Sequence, residues 1–202
     1  NLSCEWCDTR HSWDWDTFAK TEEVESVTSP ELVERLLREL PPHVNLLVLT
    51  GGEPLLHQRA VVSVLAELRV QRPDLRIEVE TNGTVPPTPP MRDLVHLFVV
   101  SPKLANSGIA EKRRVRISVL TEFATLPSVL KFVEEAPLEV VEAAAVAEAG
   151  GFDRKRVWLM PQTTSAAELG SLVAILAPAA INAGFKVSSR LHILAWGETR
   201  GT

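Results

Sequence analysis

Apolar positions along the chain switch repeatedly between a helical and a strand period. Leu32, Val33, Leu36, Leu37 and Leu40 recur at helical spacing, with Ser29-Pro30 before them as N-cap and first-turn proline. Pro41-Pro42 end that helix. Residues 44–50 (VNLLVLT) are almost all apolar, which predicts a strand buried on both faces. Gly51-Gly52-Glu53-Pro54 interrupts it, and Val61, Val62, Leu65 and Leu68 predict a helix over 57–71. Leu75, Ile77 and Val79 then alternate with polar residues up to Glu80, a second strand ending at Thr81-Asn82-Gly83.

A proline-rich loop is expected at 85–90 and a third strand at 95–100, closed by Ser101-Pro102-Lys103. Residues 104–114 are basic and polar, with a turn at Asn106-Ser107-Gly108. Residues 116–126 fit a helix or a strand, with helix favoured, and a strand is expected over 129–133. An Ala- and Glu-rich helix follows over 138–149, ended by Gly150-Gly151. A strand over 156–160 leads into Pro161-Gln162. Thr164 or Ser165 caps a helix to about Ala177, and a last strand is expected over 186–193. Between the opening residues and the first helix, 11–28 form a polar and aromatic excursion, with Val24 and Val27 in a short strand.

Strands alternating with helices predict an α/β fold with a mostly parallel sheet. About six units fall short of the eight a closed barrel needs, so a partial or modified (β/α)6 barrel fits best. No strand is followed by G-x-G-x-x-G or a Walker loop, which removes the main support for a doubly wound sheet. No linker or repeat is visible, and residues 1–202 are expected to form a single domain. Polar residues gather just after the strand ends: Thr50, Glu80, Ser101, Gln162 and His192. In parallel α/β folds those ends share one rim, where ligands bind.

The composition is that of a globular chain: 202 residues, 45% hydrophobic and 23% charged. A net charge of −5 disfavours binding to nucleic-acid phosphates. No apolar run approaches the ~18–20 residues of a membrane helix, so no membrane partner is expected. With no tyrosine, acid–base chemistry must come from His, carboxylate or Lys. Cys4 and Cys7 are the only cysteines. By itself such a C-x2-C fits half a zinc site, a redox pair, part of an iron–sulfur site or two surface thiols. Two cysteines a turn apart make a poor disulfide framework, which points to a reducing, cytoplasmic setting.

Taken in order, NLSCEWCDT, LTGGEPLL, ETNGT, SPK, LMPQ and LHILAWGETRGT span nearly the whole chain. Together they resemble the 7-carboxy-7-deazaguanine synthases of the radical S-adenosylmethionine (SAM) superfamily. The resemblance implies a [4Fe–4S] cluster, SAM and Mg2+, a modified (β/α)6 barrel and a homodimer. It also implies conversion of 6-carboxy-5,6,7,8-tetrahydropterin to 7-carboxy-7-deazaguanine, on the route to queuosine, with a reducing partner such as flavodoxin or ferredoxin. The cluster would reduce SAM, and the 5′-deoxyadenosyl radical would take the hydrogen at C6 of the pterin. No side chain is assigned as catalytic, because cluster and SAM carry that chemistry.

The family's cysteines are commonly spaced C-x3-C-x2-C. Cys4 and Cys7 would be the second and third cluster ligands, and the first falls one position before Asn1. An N-terminal segment is therefore expected to be missing. By the same resemblance, Trp6 lies beside the adenine and Thr9 gives an oxygen to Mg2+, with Asp8 behind it. Gly51, Gly52 and Glu53 take the methionine group of SAM. Asn82, Ser101, Lys103 and Gln162 take its ribose, carboxylate and adenine edges. Thr50, Glu80 and His192 contact the pterin, and a carboxylate at Glu80 suits its N–H edge. Within enzymes the alternative is a radical-SAM activase of a glycyl-radical partner. Outside them it is a cluster-free barrel binding a nucleotide-like ligand.

Overall fold

A computed structural model describes residues 1–197 and 199 of the chain. Its six strands are all parallel and lie side by side in sequence order, so every connection is a crossover to the next neighbour. The first and last strands do not pair, which leaves the sheet an open, partial barrel. In chain order the elements are α1 (Ser29–Glu39), β1 (Leu46–Leu49), α2 (Gln58–Gln71), β2 (Arg76–Thr81), α3 (Pro89–Leu94) and β3 (Leu97–Val100). There follow α4 (Ile117–Ala124), β4 (Ser128–Glu134), α5 (Glu139–Ala149), β5 (Val157–Pro161), α6 (Ala166–Ala183), β6 (Lys186–Val187) and α7 (Leu191–Trp196).

Side chains on a strand alternate in direction, and here the two directions have different jobs. Ile77, Val79, Phe98, Val100, Leu130, Phe132, Val157 and Leu159 point to the helix layer and are fully buried. They meet Leu65 and Leu68 of α2, Phe123 of α4 and Ala143 of α5; Phe98 and Phe123 stack edge-to-face at 5.3 Å. Each such side chain contributes roughly 1.5–3 kcal/mol by leaving water, so this face holds the fold together. The alternate positions, among them Glu78, Glu80, Lys131 and Trp158, line the concave face and stay half-buried.

At the end opposite the strand C-termini, Arg156 closes the layer. Its guanidinium donates to the carbonyls of Ala124, Leu126 and Ser128 at 2.8 Å and lies over the Phe152 ring at 5.1 Å. A cation there satisfies carbonyls left open by the end of α4.

Several expectations from the sequence need correction, among them the short strand at Val24 and Val27, which does not form. The run 44–50 yields only the short edge strand β1, with Leu46 and Val48 of its concave face 41% and 44% exposed. Only one neighbouring strand flanks it, so a continuous apolar run here does not mean burial on both faces. Thr28, not Ser29, caps α1, through a 3.4 Å contact from the Glu31 N–H. The helix expected to stop near Ala177 continues through Pro178 to Ala183, because Leu176 and Ala180 on either side of the proline are buried against the sheet. Its 18 residues have a mean hydropathy of 1.5, long and apolar enough to cross a membrane, contrary to the estimate from apolar runs. Here the helix lies along β5 and β6. Finally, the strand expected over 186–193 is two residues long. Ser188 makes one more bond to Leu159, and from Leu191 the chain is helical. Of the closing LHILAWGETRGT, residues 198 and 200–202 lie outside the described residues.

Glu134, the last residue of β4, is completely buried with neither carboxyl oxygen hydrogen-bonded. Burial pushes its pKa up to about 8, with the charges of Glu139 and Glu142 adding to the shift. The folded chain thus binds a proton here that the unfolded chain releases near pH 4.5. Stability held by that proton is complete below about pH 4.5 and is lost as pH rises through about 8, by up to about 1.4 kcal/mol per pH unit. In Glu134→Gln this slope disappears and the variant is the more stable at pH 8.5, as denaturant midpoints at pH 5.5, 7 and 8.5 will show.

Candidate active site

Residues 1–9 lie across the C-terminal ends of the strands, tied down one end at a time. The Asn1 side chain bonds Asn82 and Thr84 after β2, at 2.8 and 2.9 Å. The Glu5 N–H reaches the Ser107 carbonyl after β3 at 3.1 Å. Gln162, after β5, donates its side-chain amide to the Trp6 carbonyl at 2.9 Å. Arg190, after β6, binds the Asp8 carboxylate. Gly108, in the turn that follows Ser107, has φ +72°, a conformation that other residues rarely adopt.

Within the loop the Cys7 N–H bonds the Cys4 carbonyl at 3.2 Å, closing a turn that keeps the two cysteines together. The Cys7 sulfur accepts from the Trp13 indole N–H at 3.3 Å and lies 3.5 Å from the Thr9 hydroxyl. Cys4 is buried, which raises its thiol pKa, while the nearby Lys103 ammonium works the other way. The Lys103 ammonium donates to Ser101 at 3.1 Å and stands over the Trp6 ring at 5.5 Å. Burial lowers the Lys103 pKa, Cys4 and Cys7 raise it, and Lys131 lowers it. An N–H donor on sulfur and a cation beside it are what two iron-bound thiolates need to be stabilised. Cys4 and Cys7 therefore fit one side of an iron–sulfur cluster. Among the described residues no group of three His, Cys, Asp or Glu could hold a metal ion.

The Gly51-Gly52 loop after β1 is built differently. Gly51 has φ +132°, which side chains rarely adopt, and a Cβ at either glycine would meet nothing within 4 Å. The loop backbone is thus open to a ligand. Its anchor is Glu53, 5% exposed, whose carboxylate accepts from the Leu55 N–H at 3.1 Å, the Thr81 hydroxyl at 2.8 Å and the Asn82 N–H at 2.8 Å. Thr50 is exposed beside it. One strand further in, Glu80 on the concave face pairs with Lys131 of β4 at 2.9 Å.

The sequence model described as the Radical SAM superfamily matches residues 1–101. A 7-carboxy-7-deazaguanine synthase of Pyrobaculum aerophilum is 37% identical over 202 residues, covering 99% of this chain and 83% of that one. Synthases of the same name from Hyperthermus butylicus and Halobacterium salinarum are each 32% identical, covering 96% and 100% of this chain and 80% and 81% of theirs. The chain belongs to the 7-carboxy-7-deazaguanine synthase family, within the radical SAM superfamily.

In this synthase-family chain, Cys4, Trp6, Cys7, Thr9, Ser101, Lys103 and Gln162 come together around the cysteine loop, and Glu53 and Asn82 share one hydrogen-bond network beside it. Asn82 spends its side chain on Asn1 and Thr84, and Gln162 spends its amide on Trp6. His192 is the exception. It sits exposed on α7, not at a strand end, and makes no hydrogen bond to the other candidates. Its placement at a strand end followed from running the last strand to 193, where the chain is already helical.

Three residues escaped the reading of the sequence. Lys131 carried a signal, a lone cation inside the apolar run SVLKFV. Trp13 had none within HSWDWD, and Arg190 none in SSR. Arg190 is nonetheless 5% exposed, donating to Asp8 and at 3.1 Å to the Thr163 carbonyl. Removing its guanidinium leaves that carbonyl unpaired and frees Asp8. Arg190→Gln should lower stability by about 1–3 kcal/mol in denaturant unfolding and speed alkylation of Cys7 in the metal-free protein.

Proposed function

We propose that this chain makes 7-carboxy-7-deazaguanine from 6-carboxy-5,6,7,8-tetrahydropterin by ring contraction with loss of ammonia. The observation that carries the reading is the seating of the Cys4–Cys7 loop on the same rim as the open Gly51-Gly52 backbone and Lys103. Cys4 and Cys7 would hold a [4Fe–4S] cluster, which supplies the one-electron reduction that opens SAM to its radical chemistry.

The chain's own residues bind and orient. Trp6 offers a flat face for an adenine, and the Lys103 ammonium a partner for the SAM carboxylate. The free Gly51-Gly52 backbone receives the methionine amine, held in shape by Glu53 rather than touched by it. Ser101, Asn82 and Gln162 shape the pocket wall, and Thr50 and Glu80 meet the pterin's N–H edge. Glu80 accepts there, keeping the ring flat against the concave face. His192 makes none of these hydrogen bonds; it lies on α7, which begins directly after the Arg190–Asp8 contact, and would meet the pterin from there.

Thr9 offers a neutral oxygen, suited to a Mg2+ that keeps its other ligands from water and substrate. A protein reductant of the flavodoxin or ferredoxin type supplies the electron. The two free thiols, with no disulfide, suit the cytoplasm. A homodimer suits the exposed Ile175, Ile181, Leu194 and Trp196 on the outer helices.

The direct test is anaerobic. Full-length protein should reconstitute with about four irons and four sulfides, and fewer than about three irons counts against the cluster. With 6-carboxytetrahydropterin, SAM, Mg2+ and reductant it should yield 7-carboxy-7-deazaguanine; no product returns the choice to a glycyl-radical activase. Thr9→Val should raise the half-saturating Mg2+ concentration about tenfold while leaving iron content unchanged.

A further inference from the structure

Two opposite charges face each other across the concave side of the sheet, and the family motifs account for only one of them. Glu80 lies on β2 and Lys131 on β4, with β3 between them. The register pairs Glu80 with Val99 and Val99 with Val129, so Lys131 sits one pleat further towards the rim and reaches back over Val99. Its ammonium is 2.9 Å from one Glu80 oxygen, with its side chain 19% exposed and that of Glu80 38% exposed. The same ammonium is close enough to Lys103 to weaken the latter's hold on its proton. Lys131 is thus in contact with the residue expected to read the pterin and within electrostatic reach of the residue expected to hold SAM.

A charge placed in an otherwise apolar run, SVLKFV, must be satisfied by something. One of its three N–H donors goes to Glu80, and an ammonium can make further bonds without losing that one. Glu80 in turn keeps its second oxygen free for a donor. Together they offer a ligand one acceptor and, beside it, one donor. The pyrimidine edge of a 2-amino-4-oxopterin presents the complementary order, with the 2-amino and N3–H donors next to the O4 acceptor. A ligand whose N–H groups bind Glu80 brings O4 to the neighbouring ammonium. The substrate's own carboxylate, on C6, lies beyond N5 on the same side of the ring as O4, so the O4 contact is isolated by exchanging the 4-oxo group and keeping the carboxylate.

We propose that Lys131 is a substrate-binding residue that donates to the 4-oxo group of the pterin, and with Glu80 selects a lactam edge over a 4-amino one. This rests on the pterin reading given above and adds to it the basis of discrimination. A 4-amino group turned towards the ammonium sets donor against donor, and the buried mismatch excludes 2,4-diaminopterins.

The test compares wild type, Lys131→Gln and Lys131→Arg as reconstituted full-length enzymes. Lys131→Gln should raise KM for 6-carboxytetrahydropterin about 10- to 100-fold, leaving KM for SAM and the visible cluster spectrum unchanged. Lys131→Arg, which keeps a donor, should restore part of the loss. A readout without turnover is the binding of 6-carboxypterin and its 2,4-diamino counterpart, followed by quenching of pterin fluorescence. Wild type should prefer the oxo compound at least tenfold, and Lys131→Gln, whose amide can accept as well as donate, should lose most of that preference.

Unchanged pterin KM and unchanged oxo/amino preference in an active Lys131→Gln enzyme overturn the assignment while leaving the proposed function standing. An equal loss of SAM affinity also overturns it, since Lys131 would then act through Lys103. A wild type that binds neither pterin nor makes product removes the proposed function, and the role of Lys131 falls with it.

Discussion

Glu53 fixes the geometry on which the rim depends. Its carboxylate accepts from Leu55 in its own turn and from Thr81 and Asn82 at the end of the next strand. Three donors on a buried acid make the charge tolerable, and each bond to it is stronger than a neutral one. The consequence runs in two directions. Towards β1 it holds the Gly51-Gly52 backbone in a conformation that a side chain would resist. Towards β2 it sets the Asn82 turn, whose side chain then grips Asn1 and so places the start of the cysteine loop. One carboxylate thus links the open glycine backbone after β1 with the start of the cysteine loop.

Charge is distributed over this rim in matched pairs. Arg190 meets Asp8, Lys131 meets Glu80, and Lys103 has the two thiols for company. Pairs open to water on one side, as these are, gain less from their charges alone than buried ones, because water screens them. Their value lies in direction. Lys103 in particular is held against Trp6 and Ser101 while burial weakens its charge, a cost that negative ligands would repay. Glu134 is the contrasting case. It lies at the end of β4 but has no partner, so it stays neutral below about pH 8 and takes no part in this arrangement of charges.

The alternation of helix and strand was legible because each period reflects burial on one known side. Ile77 and Val79, or Val140 and Ala143, face the same layer in the structure as their spacing implies. The ends of elements were less legible. Pro178 inside α6 and the helix at Leu191–Trp196 depend on what the sheet offers, which spacing alone does not contain. Edge position is likewise invisible in VNLLVLT, since the run would look the same in the middle of a sheet. At the site, motif residues were found because they occur in short, unusual strings such as GGEP and SPK. Trp13 and Arg190 were not, because they act over sequence distance: an indole six residues beyond its sulfur, and a guanidinium 182 residues from its carboxylate.

This difference follows from how the two faces of the sheet are specified. The helix-facing side is set by a non-directional force, and any apolar residue of suitable size serves it, so pattern suffices. The rim is set by hydrogen bonds, each demanding a particular donor at a particular angle. A rim residue can therefore be recognised only when a known string surrounds it or when its partner is seen. Lys131 shows both conditions failing and then being met. In SVLKFV it is merely an interruption, whereas 2.9 Å from Glu80 it becomes half of a donor–acceptor pair facing an open concave surface. The chemistry at that surface is decided by which edge of a ring can satisfy both charges at once.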